Sequence, residues 1–266
     1  MTKFTLVFLL AHIMGDYYLQ TDSMCQRKKE DYKWLIIHSI VYTIPYWCIL
    51  FLVKDSSKLI LPIILLGLLH GMIDLLKIKR LDLIINAYLK KIHLNANLSE
   101  KKMYIIDQLL HIISIYCICL IFLYGVVPTP TRCLEMIMNL VSLNLTDATK
   151  YAILLLTICK PVNITFAILF SDFKPKKSAQ NENTLDHIYD PIKKAGSYIG
   201  LLERIIIVIF IYLQAYSAIG FVITAKSVAR YDNITKDQQF AEYFLIGTLY
   251  SIASCLILYW LLFFLI

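Results

Sequence analysis

The sequence predicts an all-α fold, a polytopic transmembrane helical bundle of about seven spans. Three observations carry this. Of 266 residues, 59% are hydrophobic and only 17% charged, where soluble domains carry about 25% charge. Apolar runs of around twenty residues recur along the whole length. These runs are continuous, not the alternating ten-residue strands of a membrane barrel. A soluble enzyme, a secreted disulfide domain and a disordered tail are thereby excluded. With 8 Gly and 7 Pro the chain is not of a collagen-like or low-complexity class. The seven cysteines (Cys25, Cys48, Cys117, Cys119, Cys133, Cys159 and Cys255) form no CxxC pair and read as small apolar residues, not a disulfide framework.

The predicted spans are roughly 3–20, 34–53, 59–77, 103–125, 150–170, 198–225 and 241–266. The first is interrupted by His12, Gly15 and Asp16 and lacks an A-x-A cleavage site, so it reads as a helix with one polar side and not a signal peptide. Lys and Arg concentrate in the odd loops, from Arg27 to Lys33, Lys77 to Lys102 and Lys174 to Lys194. Positive-inside bias then predicts a multi-pass membrane protein with its N-terminus outside and its C-terminus in the cytoplasm. Within the third loop, Leu81, Ile84, Ile85, Tyr88, Leu89 and Ile92 share one helical face. They predict an amphipathic helix over 81–95 at the inner leaflet, where its basic flanks favour anionic lipid; packing against a second copy is the rival. A weaker stripe, Leu134, Ile137, Met138 and Val141, lies in the fourth loop, and residues 173–195 read as a polar connector.

Domain organisation follows. Residues 1–127 form a four-helix membrane core, 128–196 an outer loop, fifth span and polar cytoplasmic loop, and 197–266 a C-terminal two-span part. The lipid bilayer is the expected partner, with a homo-oligomer possible; no nucleic acid is expected.

Ionisable residues inside spans are costly in lipid and mark function by default. His12 and Asp16, His70 and Asp74, and Asp107 and His111 are each spaced i, i+4, so each pair shares a helix face. His38 lies one turn into the second span. Because successive helices alternate in direction, all seven fall in one layer near the cytoplasmic side. The core also repeats itself: His12-Ile-Met-Gly-Asp16 parallels His70-Gly-Met-Ile-Asp74, and Leu35-Ile-Ile-His38 parallels Gln108-Leu-Leu-His111. Hairpins 3–53 and 59–125 are then related by an axis along the membrane normal, with Asp107 an extra carboxylate.

Three readings of the layer remain open. It holds one or two divalent metals, since imidazole and carboxylate are ligands that Zn, Mn and Fe accept. It is a proton or ion relay, as in a transporter. Or it is a set of structural His–Asp hydrogen bonds in a membrane-anchored signalling or assembly component. His93 and His187 fall in loops. In the back half, Glu203 and Arg204 sit about a turn into the sixth span. Lys226, Arg230 and Glu242 read as helix-end groups.

The ordered motifs His12-x-x-x-Asp16 with Tyr18-Leu19-Gln20, Trp34-Leu-Ile-Ile-His38, His70-x-x-x-Asp74-Leu-Leu-Lys77 and Asp107-Gln-Leu-Leu-His111 resemble an uncharacterised bacterial integral-membrane family, a domain of unknown function, over the first 125 residues. The stretches 196–204, 225–230 and 241–243 resemble its longer members. More distantly, the His/Asp helix pattern is similar to membrane-bound metal-dependent hydrolases. The resemblance implies a bacterial inner-membrane protein, and the expected function is metal-assisted hydrolysis of a membrane-associated substrate. His12, Asp16, His38, His70, Asp74, Asp107 and His111 would be the ligands, with Zn the first choice and Mn or Fe next. Asp107 is the carboxylate left as general base, and Arg204 is the candidate anion clamp. No P-loop, GxSxG or HExxH motif points to another chemistry.

Overall fold

The structure, a computed structural model, describes residues 3–28, 31–54, 56–78, 96–175 and 195–265. The amphipathic helix expected over 81–95, His93 and His187 lie outside them. The described chain is helical, with a single isolated bridge pair, Val53 and Pro130, and no strand. Among the described residues, five helices are long and apolar enough to cross a membrane: Tyr32–Leu52, Ser56–Leu76, Lys101–Phe122, Leu145–Leu169 and Gln238–Leu265. The chain divides into two units, Met1–Leu156 and Thr157–Ile266.

In the first unit, α1 (Lys3–His12) runs directly into a π-helical turn, Ile13–Tyr18. Then come α2 (Asp22–Arg27), α3 (Tyr32–Leu52), a 3-10 turn (Ser56–Leu59) and α4 (Ile60–Leu76). The unit continues with α5 (Ala96–Phe122), the short α6 (Arg132–Leu140) and the start of α7 (Leu145–Cys159). Side chains begin two of these helices by accepting otherwise unpaired backbone N–H groups: Thr21 Oγ1 takes Met24 N and Asp31 Oδ1 takes Lys33 N. The 21 residues of α3 extend about 31 Å at 1.5 Å each, enough for the hydrocarbon core.

Helices α1, α3, α4 and α5 form a ring in which α1 packs on α3 and α5, and α4 packs on the same two. At one end the ring is apolar: Phe4, Phe8, Tyr46, Ile49, Leu59, Ile63, Ile118 and Leu123 form its core. That end is tied by Lys54 N to Thr129 O and Thr131 N to Leu52 O, both 2.9 Å. Close approach replaces hydrophobic drive inside a bilayer. A Cβ on Gly67 would lie 2.6 Å from Thr43 Cγ2, and one on Gly15 2.6 Å from the Tyr42 carbonyl oxygen.

In the second unit, α8 (Pro161–Leu169) is followed by α9 (Ala195–Tyr212), α10 (Tyr216–Ala229), α11 (Tyr231–Lys236) and α12 (Gln238–Trp260). Phe166 of α8 packs against Tyr243 and Tyr250 of α12, with ring centroids 5.4 Å apart in each case. The apolar run 198–225 is not one straight span. It turns back at Leu213–Ala215, where Gln214 takes a positive φ of 55°. Lys226 of α10 thereby reaches Glu203 of α9. Hydropathy is blind to this reversal because both arms are equally apolar. The back part therefore holds a tight α9–α10 hairpin followed by α12, where two spans were expected.

Candidate metal centre

The polar layer occupies the end of the ring opposite the aromatic core. His12 ends α1, Asp16 lies in the π turn, His38 lies in the second turn of α3, His70 and Asp74 lie in the last two turns of α4, and Asp107 and His111 lie in the middle of α5. His12, His38, His70, Asp74, Asp107 and His111 are all buried.

Two groups converge within this layer. Asp16, His38 and His70 form one, and His70, Asp74 and His111 the other; in each, one potential ligand atom per residue lies within 4.8 Å of the others. His38 Nε2 is the hub. It is 3.0 Å from His70 Nε2, 3.4 Å from Asp74 Oδ2 and 3.5 Å from Asp16 Oδ1. His70 Nε2 lies 3.8 Å from Asp74 Oδ2 across one helical turn. His111 Nδ1 donates to the Asp107 carbonyl at 2.8 Å, which places its proton there and leaves the Nε2 lone pair free. That Nε2 is buried and has no hydrogen-bond partner among the described residues, as is true of His38 Nδ1, His70 Nδ1 and Asp107 Oδ1.

His12 and Asp107 stand outside both groups. His12 Nδ1 is 3.3 Å from the Tyr42 hydroxyl, and its ring stacks on His111 at 5.5 Å. Asp107 Oδ2 accepts from Lys77 Nζ at 2.7 Å and from Gln108 Nε2 at 3.3 Å. The internal repeat is therefore obeyed by Asp16 with Asp74 and by His38 with His111. It is broken by His70, which joins both groups while its counterpart His12 joins neither. The local cause is the π turn that starts immediately after His12. Its wider coil shifts Asp16 relative to His12, whereas His70 and Asp74 remain in regular α-helix. Tyr42 completes the asymmetry. It stacks on His70 at 3.6 Å, nearly parallel, and its hydroxyl bonds Tyr46 at 2.7 Å. The residues at the corresponding repeat positions are Ile115 and Cys119.

Two site residues have the sequence appearance of loop charges. Lys28 Nζ donates to Asp74 Oδ2 at 2.8 Å, and Lys77 pairs with Asp107. Gln108 also belongs here, donating to Asp16 Oδ2 at 3.3 Å while accepting from Tyr17 at 2.8 Å. Tyr42 was not singled out in the sequence, although i+4 from His38 places it on the layer's face. Lys28 was not either, since nothing local ties it to Asp74, 46 residues away.

Arg204 is buried in the second unit, and its bonds are made there. Nε donates to the Ile158 carbonyl and Nη2 to Asn163 Oδ1, both at 2.7 Å. Pro161 interrupts the helix at this point, and Asn163 Nδ2 takes the Cys159 carbonyl at 3.0 Å. Arg204 and Asn163 thus satisfy carbonyls at the Pro161 break. Its neighbour Glu203 accepts from Lys226 at 2.6 Å, and Lys226 also donates to Thr248 at 3.0 Å.

Apolar helices of spanning length around a buried His/Asp layer define a polytopic membrane protein. Its residues 4–131 match the model of a family described as "Protein of unknown function (DUF3307)". That segment contains α1 to α5 and every residue of the layer, and it stops where α6 begins. An uncharacterised family is what the motifs led us to expect; the likeness to membrane-bound hydrolases is not carried by this match. No curated protein and no solved structure matches the chain.

Proposed function

We propose that the layer is a divalent-metal centre, zinc by preference, and that the protein is a bacterial inner-membrane enzyme performing metal-assisted hydrolysis on a membrane-associated substrate from the cytoplasmic side. One observation carries the reading: His70 Nε2, Asp74 Oδ2 and Asp16 Oδ1 lie 3.0, 3.4 and 3.5 Å from His38 Nε2, and His70 Nε2 lies 3.8 Å from Asp74 Oδ2. Two ligands each about 2.0–2.1 Å from a tetrahedral ion lie about 3.3 Å apart. His111 adds an available lone pair, with its other ring nitrogen donating to a carbonyl as metal-binding imidazoles do. His70 belongs to both groups, so the two share a residue and form a composite site.

When bound, a divalent ion lowers the pKa of water and polarises a substrate oxygen. The chain's own residues do the rest. Tyr42 fixes the plane of the His70 ring by stacking on it. Asp107 lies outside both ligand groups, has Oδ2 anchored by Lys77 and keeps Oδ1 unpartnered, which suits a general base. A second reading draws on the Lys28–Asp74 and Lys77–Asp107 pairs. These neutralise two carboxylates without any ion, so the layer would then only hold the helices together.

Elemental analysis of the purified full-length protein separates the two. About one equivalent of metal is expected in the wild type, below a tenth of that in His70→Ala, and a smaller loss in His12→Ala. Folded wild type without metal would overturn the metal reading. A reporter fused after Lys29 should read cytoplasmic; an outside signal there would overturn the assigned side.

A further inference from the structure

The two lysines of the layer and its charge balance point to the substrate class. Asp16, Asp74 and Asp107 contribute three negative charges, Lys28 and Lys77 two positive ones, and imidazoles that ligate a metal are neutral. The formal sum is one negative charge. One divalent ion turns it to one positive charge, and two ions to three. Buried among apolar helices, where charge is poorly screened, a net positive site calls for an anion.

The lysines are placed to serve it. Lys28 Nζ binds Asp74 Oδ2, the oxygen that also lies 3.4 Å from His38 Nε2. An ion drawing on that oxygen competes with the ammonium group for it and repels it. Lys77 grips Asp107 through Oδ2 alone, and its side chain is 34% exposed. Lys28 follows the short α2 and Lys77 follows the last turn of α4, so each flexible side chain reaches the layer from a helix end. Arg204, the cation that the sequence alone suggests for this task, already makes two hydrogen bonds, to Ile158 and Asn163.

We propose that the metal-loaded layer binds a phosphate ester or phosphate group, with Lys28 and Lys77 as its anion-recognising residues. This rests on the metal reading above and deepens it. A phosphate group carries one to two negative charges, and its several oxygens allow metal and ammonium groups to engage it together. A lipid headgroup and free phosphate share this chemistry.

The test uses full-length protein in detergent, metal-loaded or chelator-stripped. The probes are inorganic phosphate and a short-chain phosphatidic acid, followed by equilibrium binding and phosphorus NMR. A neutral diacylglycerol is the control. Metal-loaded wild type should bind at least one phosphate probe, and stripped protein should bind at least tenfold more weakly. Binding of phosphatidic acid alone assigns a headgroup; binding of both probes assigns the phosphate group itself. Lys28→Gln and Lys77→Gln should each keep their metal and bind at least tenfold more weakly, while Lys28→Arg and Lys77→Arg, which keep the charge, should bind nearly as wild type does. Wild type that retains metal but binds neither probe overturns this proposal and leaves the metal reading standing, whatever the variants do. Equal binding by stripped protein, or by the diacylglycerol, also overturns it. Protein that holds no metal and binds no phosphate overturns both.

Discussion

The two units each bury charged residues among apolar helices, and they do so differently. In the second unit the polar groups answer one another. Arg204 covers a carbonyl at the Pro161 break, and Glu203, Lys226 and Thr248 form a local set, with Glu203 Oε1 the one buried side-chain atom there lacking a partner among the described residues. In the first unit imidazole nitrogens and carboxylate oxygens crowd one another at 3.0 to 3.8 Å, with more acceptor atoms than protons to share, and four buried atoms lack hydrogen-bond partners among the described residues. A self-satisfied polar cluster is what helix association in a bilayer requires. The first unit's cluster is not self-satisfied in that way, and it is the one for which a metal is proposed above.

The sharpest way to break this contrast is Glu203→Ala. If the second set is structural, leaving Lys226 without its carboxylate should lower stability by about 3–5 kcal/mol, measured by denaturant unfolding in detergent. Metal content per folded molecule should stay unchanged. Replacing both partners, Glu203→Leu with Lys226→Met, should recover much of the loss; metal loss in either variant would erase the distinction.

Gly15→Ala probes the first unit through its backbone. The added Cβ would stand 2.6 Å from the Tyr42 carbonyl oxygen and 2.9 Å from its ring. Helix α3 or the π turn must yield, at about 1–3 kcal/mol. Because that turn positions Asp16, metal content should fall with stability. Unchanged metal content would mean that the π turn does not set the ligand geometry.

Tyr42→Phe should have the smallest effect. It deletes hydrogen bonds to His12 and Tyr46 but keeps the ring stacked on His70. About 1 kcal/mol of stability should go, with metal content held. A large loss of metal would show that the hydroxyl, and not the ring, orients the site.

Much of this was readable in the residues themselves. Helix directions alternate, so spacing from the span ends sets depth; that is why His12, His38, His70 and His111 could be assigned to one layer without a structure. The i, i+4 rule supplied shared faces for His70 with Asp74 and for Asp107 with His111, and both pairs stand within 3.8 Å. The motif repeat pairs Asp16 with Asp74 and His38 with His111, one of each pair in each candidate group, but it does not anticipate that His70 joins both.

Depth and face are properties of a single helix, which is why the amino-acid sequence determined the all-helical membrane class and the polar layer. Partner choice depends on how helices rotate and approach. Only the tertiary structure decided that His70 and not His12 joins both ligand groups, because a π turn and the Gly15–Tyr42 contact shift one repeat against the other. It alone brought Lys28 across 46 residues to Asp74 and committed Arg204 to a broken helix. It also folded 198–225 back on itself, since an apolar run records what the solvent is and not which way the chain travels through it.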